Sequence, residues 1–385
     1  MTLAPAGQHT VRRHNLALVL GAVSAAGRTT RAQVAEATGL TRATVSALAD
    51  QLLAAGLLDA LDPDRGAPGR PGSPLRLNPR GPGGLGVEVN VDYVATCVLG
   101  LDGGVRAQHV EPLDARAAAP GATLRRAADL ADRAVAEAGL PITGACLALP
   151  GLVTRDGVLR RAPNLPHWNG FAAAETLAVL LGVSVDAGNE ANLAALAEGS
   201  AEGLRDFVYV SGDVGVGAGV VRDGYVYGGV RGFAGELGHV MVDASGPLCG
   251  CGGSGCLEQY AGVEALLRGA RVADLDELVD RAGDPQVAAV LLTAGRALGV
   301  ALAAAVNLLD VSDIVLGGSY ARLAASLITA LRAELEQRVV SREIAAPKVR
   351  VSRVGPYAAV RGAAGSVVAR VLAAPDSVSQ LQISP

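Results

Sequence analysis

A chain of 385 residues exceeds what one hydrophobic core usually serves, so two or three domains are expected. Half of it is hydrophobic, yet no uncharged apolar run reaches the ~18 residues that a membrane span needs and no signal segment opens the chain, so a cytoplasmic protein without a membrane partner is expected. The net charge of −4 hides an asymmetry: residues 1–80 carry nine arginines against five acids and the remainder is acidic, which points to an anionic partner for the first part alone.

Residues 11–26 are apolar at Leu16, Val19, Leu20 and Val23, a helical repeat that ends at Gly27. Thr30 starts a second helix, with Gln33 in the capping-box position, and Gly39 stops it. Thr41 caps a third, whose Val45, Leu48, Leu52 and Leu53 form one apolar stripe. This is a helix-turn-helix, with Thr41, Arg42, Ala43, Thr44 and Ser46 facing double-stranded operator DNA. A three-helix cap that binds only protein is the alternative. The segment from Asp62 to Pro74 is rich in Pro, Gly and Arg, and is expected to be the wing of a winged helix. Arg70, between Gly and Pro, then enters a narrow minor groove. The competing reading is a plain interdomain linker.

Beyond residue 80 the character changes. Strands are expected at 84–90, 93–100 and 104–111, a helix at 123–138 and an apolar strand at 142–149. A second lobe repeats the scheme, with strands at 207–211 and 217–222, a helix at 287–309, a strand ending at Gly317-Gly318 and another helix.

Between these strands and the long helix stand Glu236-Leu237-Gly238-His239 and, ten residues on, Cys249-Gly250-Cys251-Gly252-Gly253-Ser254-Gly255-Cys256-Leu257-Glu258. A Cys-x-Cys pair is too tight for an easy mutual disulfide, whereas three thiolates and a neutral imidazole make the closed tetrahedral set that structural zinc prefers. His239, Cys249, Cys251 and Cys256 are the expected zinc ligands, leaving the two glutamates free to accept hydrogen bonds from a hydroxyl-rich ligand such as a sugar. Free thiols in a Gly-rich turn, or an intermolecular disulfide, are the alternative.

The pattern Gly-Glu-x-Gly-His, then Cys-x-Cys-Gly-x-x-Gly-Cys-x-Glu, resembles the signature of the ROK family, which groups sugar-responsive repressors with sugar kinases. The resemblance covers nearly the whole chain. It implies an α/β chain with a winged helix-turn-helix at 1–80 and a two-lobed, actin-like and ribonuclease-H-like ATPase fold at 81–385. Lobe one would span about 81–187 plus the C-terminal helix, and lobe two about 188–355. It also implies that Glu236, His239 and Glu258 face a bound sugar, joined by Asn164, with Trp168 packed nearby or serving only a structural turn.

Kinase members carry an Asp-x-Gly-Gly-Thr loop, where this chain has Glu88-Val89-Asn90-Val91-Asp92. Side chains then stand where a phosphate must approach the backbone. The second-lobe Gly-Thr-Gly-x-Gly-x-Gly becomes Asp213-Val214-Gly215-Val216-Gly217-Ala218-Gly219, whose surviving glycines permit tight strand packing. The Asn-Asp-x-Asn stretch with the catalytic base becomes Asn189-Glu190-Ala191-Asn192, so Asn189 and Glu190 are assigned to sugar recognition. The expectation is a non-enzymatic, sugar-responsive repressor of carbohydrate-utilisation genes, with a layout like that of the family's xylose-repressor branch, acting as a homodimer or dimer of dimers. An ATP-dependent sugar kinase with a DNA-binding appendage is the rival.

Overall fold

The computed structural model describes residues 8–62, 73–154 and 156–380. It opens with helices α1 (Gln8–Ala26), α2 (Arg31–Thr38) and α3 (Arg42–Ala54). Thr30 completes the capping box of α2: Gln33 N–H donates to its Oγ1 at 3.3 Å, and Thr30 N–H donates to Gln33 Oε1 at 2.8 Å. Gly39 ends α2 at φ +72°, a conformation glycine adopts without strain, and Thr41 starts α3 by accepting from the Thr44 N–H at 3.1 Å. Val45, Leu48, Ala49 and Leu52 share a buried cluster with Leu16, Val19, Leu20 and Val23, which leaves the opposite face of α3 outside.

Strands β1 (Leu58–Ala60) and β2 (Leu75–Leu77) pair antiparallel, and Thr29 bridges to Leu75. The Pro/Gly/Arg segment therefore joins two paired strands, as a wing does, and is not an interdomain linker. Residues 63–72, including Arg70, lie outside the described residues.

The first lobe holds β3 (Gly83–Val89), β4 (Tyr93–Leu99), β5 (Val105–Pro112), α4 (Pro120–Ala138), β6 (Ile142–Leu149), the small hairpin β7 (Leu152–Val153) and β8 (Leu159–Arg161), α5 (Ala173–Leu181) and β9 (Val185–Asn189). Its sheet runs β5-β4-β3-β6-β9, an antiparallel meander extended by two parallel strands. After α6 (Glu190–Glu202) come β10 (Phe207–Gly212), β11 (Val216–Arg222), β12 (Tyr225–Val226), α7 (Glu258–Ala261), α8 (Val263–Ala270), α9 (Leu275–Asp280), α10 (Pro285–Leu309), β13 (Asp313–Gly318), α11 (Ser319–Arg338) and β14 (Lys348–Val351). The second sheet, β12-β11-β10-β13-β14, repeats the topology of the first. Helix α10 is long and apolar enough by composition to cross a membrane, but it includes Arg296 and packs against α11 in the second-lobe core.

The chain returns through α12 (Ala358–Ala373), which lies on β3. Glycine makes this approach possible: a Cβ at Gly86 would meet the Val360 carbonyl oxygen at 2.1 Å, and one at Gly362 would meet that of Leu193 on α6 at 1.7 Å. Helices α6 and α12 thus cross in backbone contact where the lobes meet. Val360, Ala364, Val368 and Val371 of α12 share one buried cluster with α1 and with Ala95, Cys97 and Leu99 of β4, so the helix-turn-helix is docked on the first lobe.

Candidate functional site

The lobes face each other across a cleft enclosing about 730 Å³ of space continuous with solvent. Asn164, Asn189, Glu190, Glu236, His239 and Glu258, all singled out from the sequence, line it together with Asn90 and Asp213. Trp168 does not: it is fully buried in the first-lobe core, edge-on to Phe171 at 5.9 Å, in a structural role.

Each wall residue is held by local structure. Asn189 caps α6, its Oδ1 accepting from the Asn192 N–H at 3.1 Å while its Nδ2 donates to the Gly151 carbonyl at 3.0 Å. Its amide is engaged at both ends, so it shapes the wall with little left for a ligand. Glu190 follows in the first turn and accepts from Asn90 Nδ2 at 3.4 Å, a contact between lobes. A one-turn 3₁₀ helix, Leu237–His239, sets Glu236 and His239 on either side of Gly238, where a Cβ would meet the Val216 carbonyl at 2.4 Å. Glu258 opens α7 and accepts from the Val216 N–H at 3.3 Å.

The cleft floor carries chemistry that the sequence reading missed. Glu88, on β3, is buried and accepts from Tyr93 Oη at 2.7 Å and from the Val360 N–H at 3.1 Å. Burial pushes it up to about 7 despite those hydrogen bonds. Glu190 is raised well above the ordinary carboxylate range, by burial first and then by Asp213 and Glu88. Asp213, open to cleft water on one side, is raised by burial and by the charges of Glu88 and Asp92. The three carboxyls resist ionising together, so at neutral pH the floor can donate as well as accept hydrogen bonds. The available signal was an acid inside the otherwise apolar strand Gly83–Val89.

Two of the surviving glycines serve packing, while Gly215 leaves room for the Glu258 carboxylate in the cleft. A Cβ at Gly219 would meet the Ala191 carbonyl at 2.7 Å, and one at Gly217 the Ala191 Cβ at 3.0 Å, so both let β11 press on α6. Val214 packs against the first-lobe core, and Asp92 is paired with Arg116 at 3.4 Å, which also reaches Glu264 of α8 at 3.6 Å.

Beside the cleft, the ligating atoms of His239, Cys249, Cys251 and Cys256 lie within 4.8 Å of one another. Cys249 Sγ is 3.7 Å from His239 Nδ1, and Cys251 Sγ is 3.7 Å from Cys256 Sγ. A tetrahedron with metal–sulfur bonds of about 2.3 Å has edges of about 3.8 Å, so the four donors fit a metal ion. Nδ1 faces the sulfurs, which leaves the His239 Nε2 edge for the cleft. Gly253 N–H points at Cys251 Sγ at 3.4 Å, the backbone support that a knuckle gives a thiolate.

On α3, Thr41, Arg42 and Ala43 are exposed, and Thr44 and Ser46 partly so. Arg31 is tied to Asp50 at 2.7 Å and Arg12 to Gln51 at 2.7 Å, whereas Arg42 makes no ion pair among the described residues.

Fold and site define a class: a winged-helix module carried on a two-lobed, actin-like body, with a polar interlobe cleft beside a cluster that can hold a metal. The ROK family model matches residues 84–369, and the chain belongs to that family. A MarR family model matches residues 17–66. The chain is 27% identical over 348 residues to the xylose repressor of Bacillus subtilis, covering 87% of this chain and 90% of that one. Its fold matches the crystal structure of a ROK family transcriptional regulator, a homolog of the E. coli MLC protein, with a TM-score of 0.80, 24% identity and coverage of 96% of this chain and 99% of that one. A ROK hexokinase from Thermus thermophilus is 33% identical with a TM-score of 0.62, covering 77% of this chain and 99% of that one.

Proposed function

We propose that this chain is a sugar-responsive transcriptional repressor: α3 reads operator DNA, and a sugar held in the interlobe cleft shifts the protein between states of different DNA affinity. The main support is the convergence of carboxyl, amide and imidazole groups from both lobes on one cleft, in a chain that opens with a helix-turn-helix. Paired acceptors and donors on a rigid frame suit sugar hydroxyls, and a ligand touching both lobes favours the arrangement in which they approach. The xylose repressor among the relatives makes xylose the first effector to test.

In this reading His239, Cys249, Cys251 and Cys256 hold a structural zinc ion, which supplies a fixed tetrahedral anchor for the segment between Glu236 and Glu258. Glu236, His239 and Glu258, with Asn164 and Glu190, bind the sugar. Arg42 and the exposed start of α3 approach the major groove, and Arg70 of the wing approaches the minor groove. The working form is a cytoplasmic homodimer or dimer of dimers. Its half-sites lie about 34 Å apart, so a displacement of a few ångströms between its two reading heads costs specific affinity.

The kinase rival is weaker. Asn90 places an amide where a phosphate would approach, Asp92 adds a paired negative charge, and Val214 is drawn into the first-lobe core. Glu190 has its carboxyl pushed well above the ordinary carboxylate range by burial and by Asp213 and Glu88, and it is already engaged by Asn90 Nδ2 at 3.4 Å, which disfavours a role as general base. Thermal denaturation against a monosaccharide panel tests the reading, because a sugar at 100 times its Kd adds about 2.7 kcal/mol. At least one sugar should raise the transition, and a coupled ATP assay with that sugar should show no turnover. A flat panel, or robust phosphorylation abolished by Glu190→Gln, would reverse the conclusion.

A further inference from the structure

Arg161, the last residue of β8, reaches across the cleft: its Nη2 donates to the Cys251 carbonyl oxygen at 3.2 Å. Three positions later the same first-lobe segment places Asn164 in the cleft wall. The segment is stiffly seated. A Cβ at Gly151 would meet the Arg161 carbonyl at 2.3 Å, and Ala162 N–H donates to Asn169 Oδ1 at 2.8 Å, so a pull on the guanidinium carries the neighbouring backbone with it.

The donor set decides what that pull responds to. Three thiolates and a neutral imidazole around a divalent ion leave a single net negative charge, and the Cys251 carbonyl adds the negative end of a dipole. Arg161 pairs with no carboxylate among the described residues. An otherwise uncompensated cation on one lobe thus faces the loaded thiolate cluster on the other.

We propose that Arg161 is a positioning residue that clamps residues 159–165 of the first lobe onto the knuckle, so that metal loading in the second lobe sets where Asn164 stands in the first. The inference rests on the zinc assignment above and extends it: the ion would fix the relation between lobes as well as its own loop.

The test is hydrogen–deuterium exchange of the full chain, stripped with chelator and reloaded with zinc alone, alongside metal stoichiometry. In the wild type, zinc should slow exchange in the knuckle and also in residues 159–165, the latter on the order of fivefold, the upper end of what one exposed charge contact contributes. In Arg161→Ala the zinc content and knuckle protection should persist while the zinc-dependent protection of 159–165 disappears. Arg161→Lys, which keeps the charge and a donor, should restore part of it. Protection of 159–165 that is equal in wild type and Arg161→Ala would overturn the clamp while leaving the zinc site standing. A chain that takes up no zinc overturns both, and the stoichiometry distinguishes the two failures.

Discussion

Glu88 illustrates how a single buried carboxyl shapes the pH response of the whole chain. Its folded value of about 7 stands above the ordinary glutamate value of 4.5, so between these limits the folded protein holds a proton that the unfolded chain releases. Its contribution to stability is therefore complete below about 4.5 and is lost as the pH climbs through 7, a change of about 3 kcal/mol. Urea unfolding from pH 5 to 8 should show stability falling, with a shallower slope in Glu88→Gln. An unchanged slope would assign the dependence to other groups. Cys251→Ser opens the metal shell and should bring zinc below one ion per chain while weakening sugar binding, as elemental analysis and thermal shift would show; a fully metal-free wild type that still binds sugar removes the assignment. The ligand set and the cleft residues were legible because their donors sit in one short motif or in stretches resembling a known family. The acid trio, the Asn90–Glu190 contact and the reach of Arg161 were not, because they join residues from different elements, 100 positions apart for Asn90 and Glu190 and 90 for Arg161 and Cys251, that only the lobe arrangement brings together.

At the scale of elements, the caps give the sharpest expectations. Thr41→Ala leaves the Thr44 N–H unpaired at the start of α3 and should cost about 1 kcal/mol in unfolding experiments. It should also weaken DNA binding, because the frayed turn is the one that presents Arg42. Gly362→Ala drives a methyl into the Leu193 carbonyl at the α6–α12 crossing, and should cost about 1–3 kcal/mol by the same measurement. An effect below a few tenths would mean that the two helices are free to separate there. Thr30, Gly39 and Thr41 announced their helices through side-chain chemistry that acts within four residues, and β6 appeared with its expected bounds because it is a continuous apolar run. Strands β9 and β14 went unread: Val185–Asn189 and Lys348–Val351 are short, part-exposed edge strands whose pairing comes from the sheet and not from their own sequence.

For the whole molecule, the decisive feature is continuity. The helix-turn-helix shares a core with α12, α12 lies on β3 and meets Glu88 through Val360, and Glu88 shares a small cavity with Glu190 and Asp213, which line the cleft above it. A ligand that moves the lobes therefore acts on elements in contact with the DNA-reading module, without a flexible linker between them. Binding through residues 1–80 should fall steeply with salt, and Arg42→Ala should reduce the logarithmic salt slope by about one if it contacts phosphate. The repeated sheet topology could be anticipated from the two strand series, whereas the docking of α1 on α12 had no sequence signature, since apolar stripes on both helices fit many partners. Coupling between cleft and DNA is tested most directly by fluorescence anisotropy of promoter DNA at fixed salt, with and without each sugar of a monosaccharide panel beginning with xylose. At least one sugar should change DNA affinity by about tenfold, within the usual range of allosteric coupling, and Glu258→Gln should abolish the change while leaving sugar-free DNA binding intact. DNA affinity that stays constant across the panel, with a sugar shown to occupy the cleft, would contradict it.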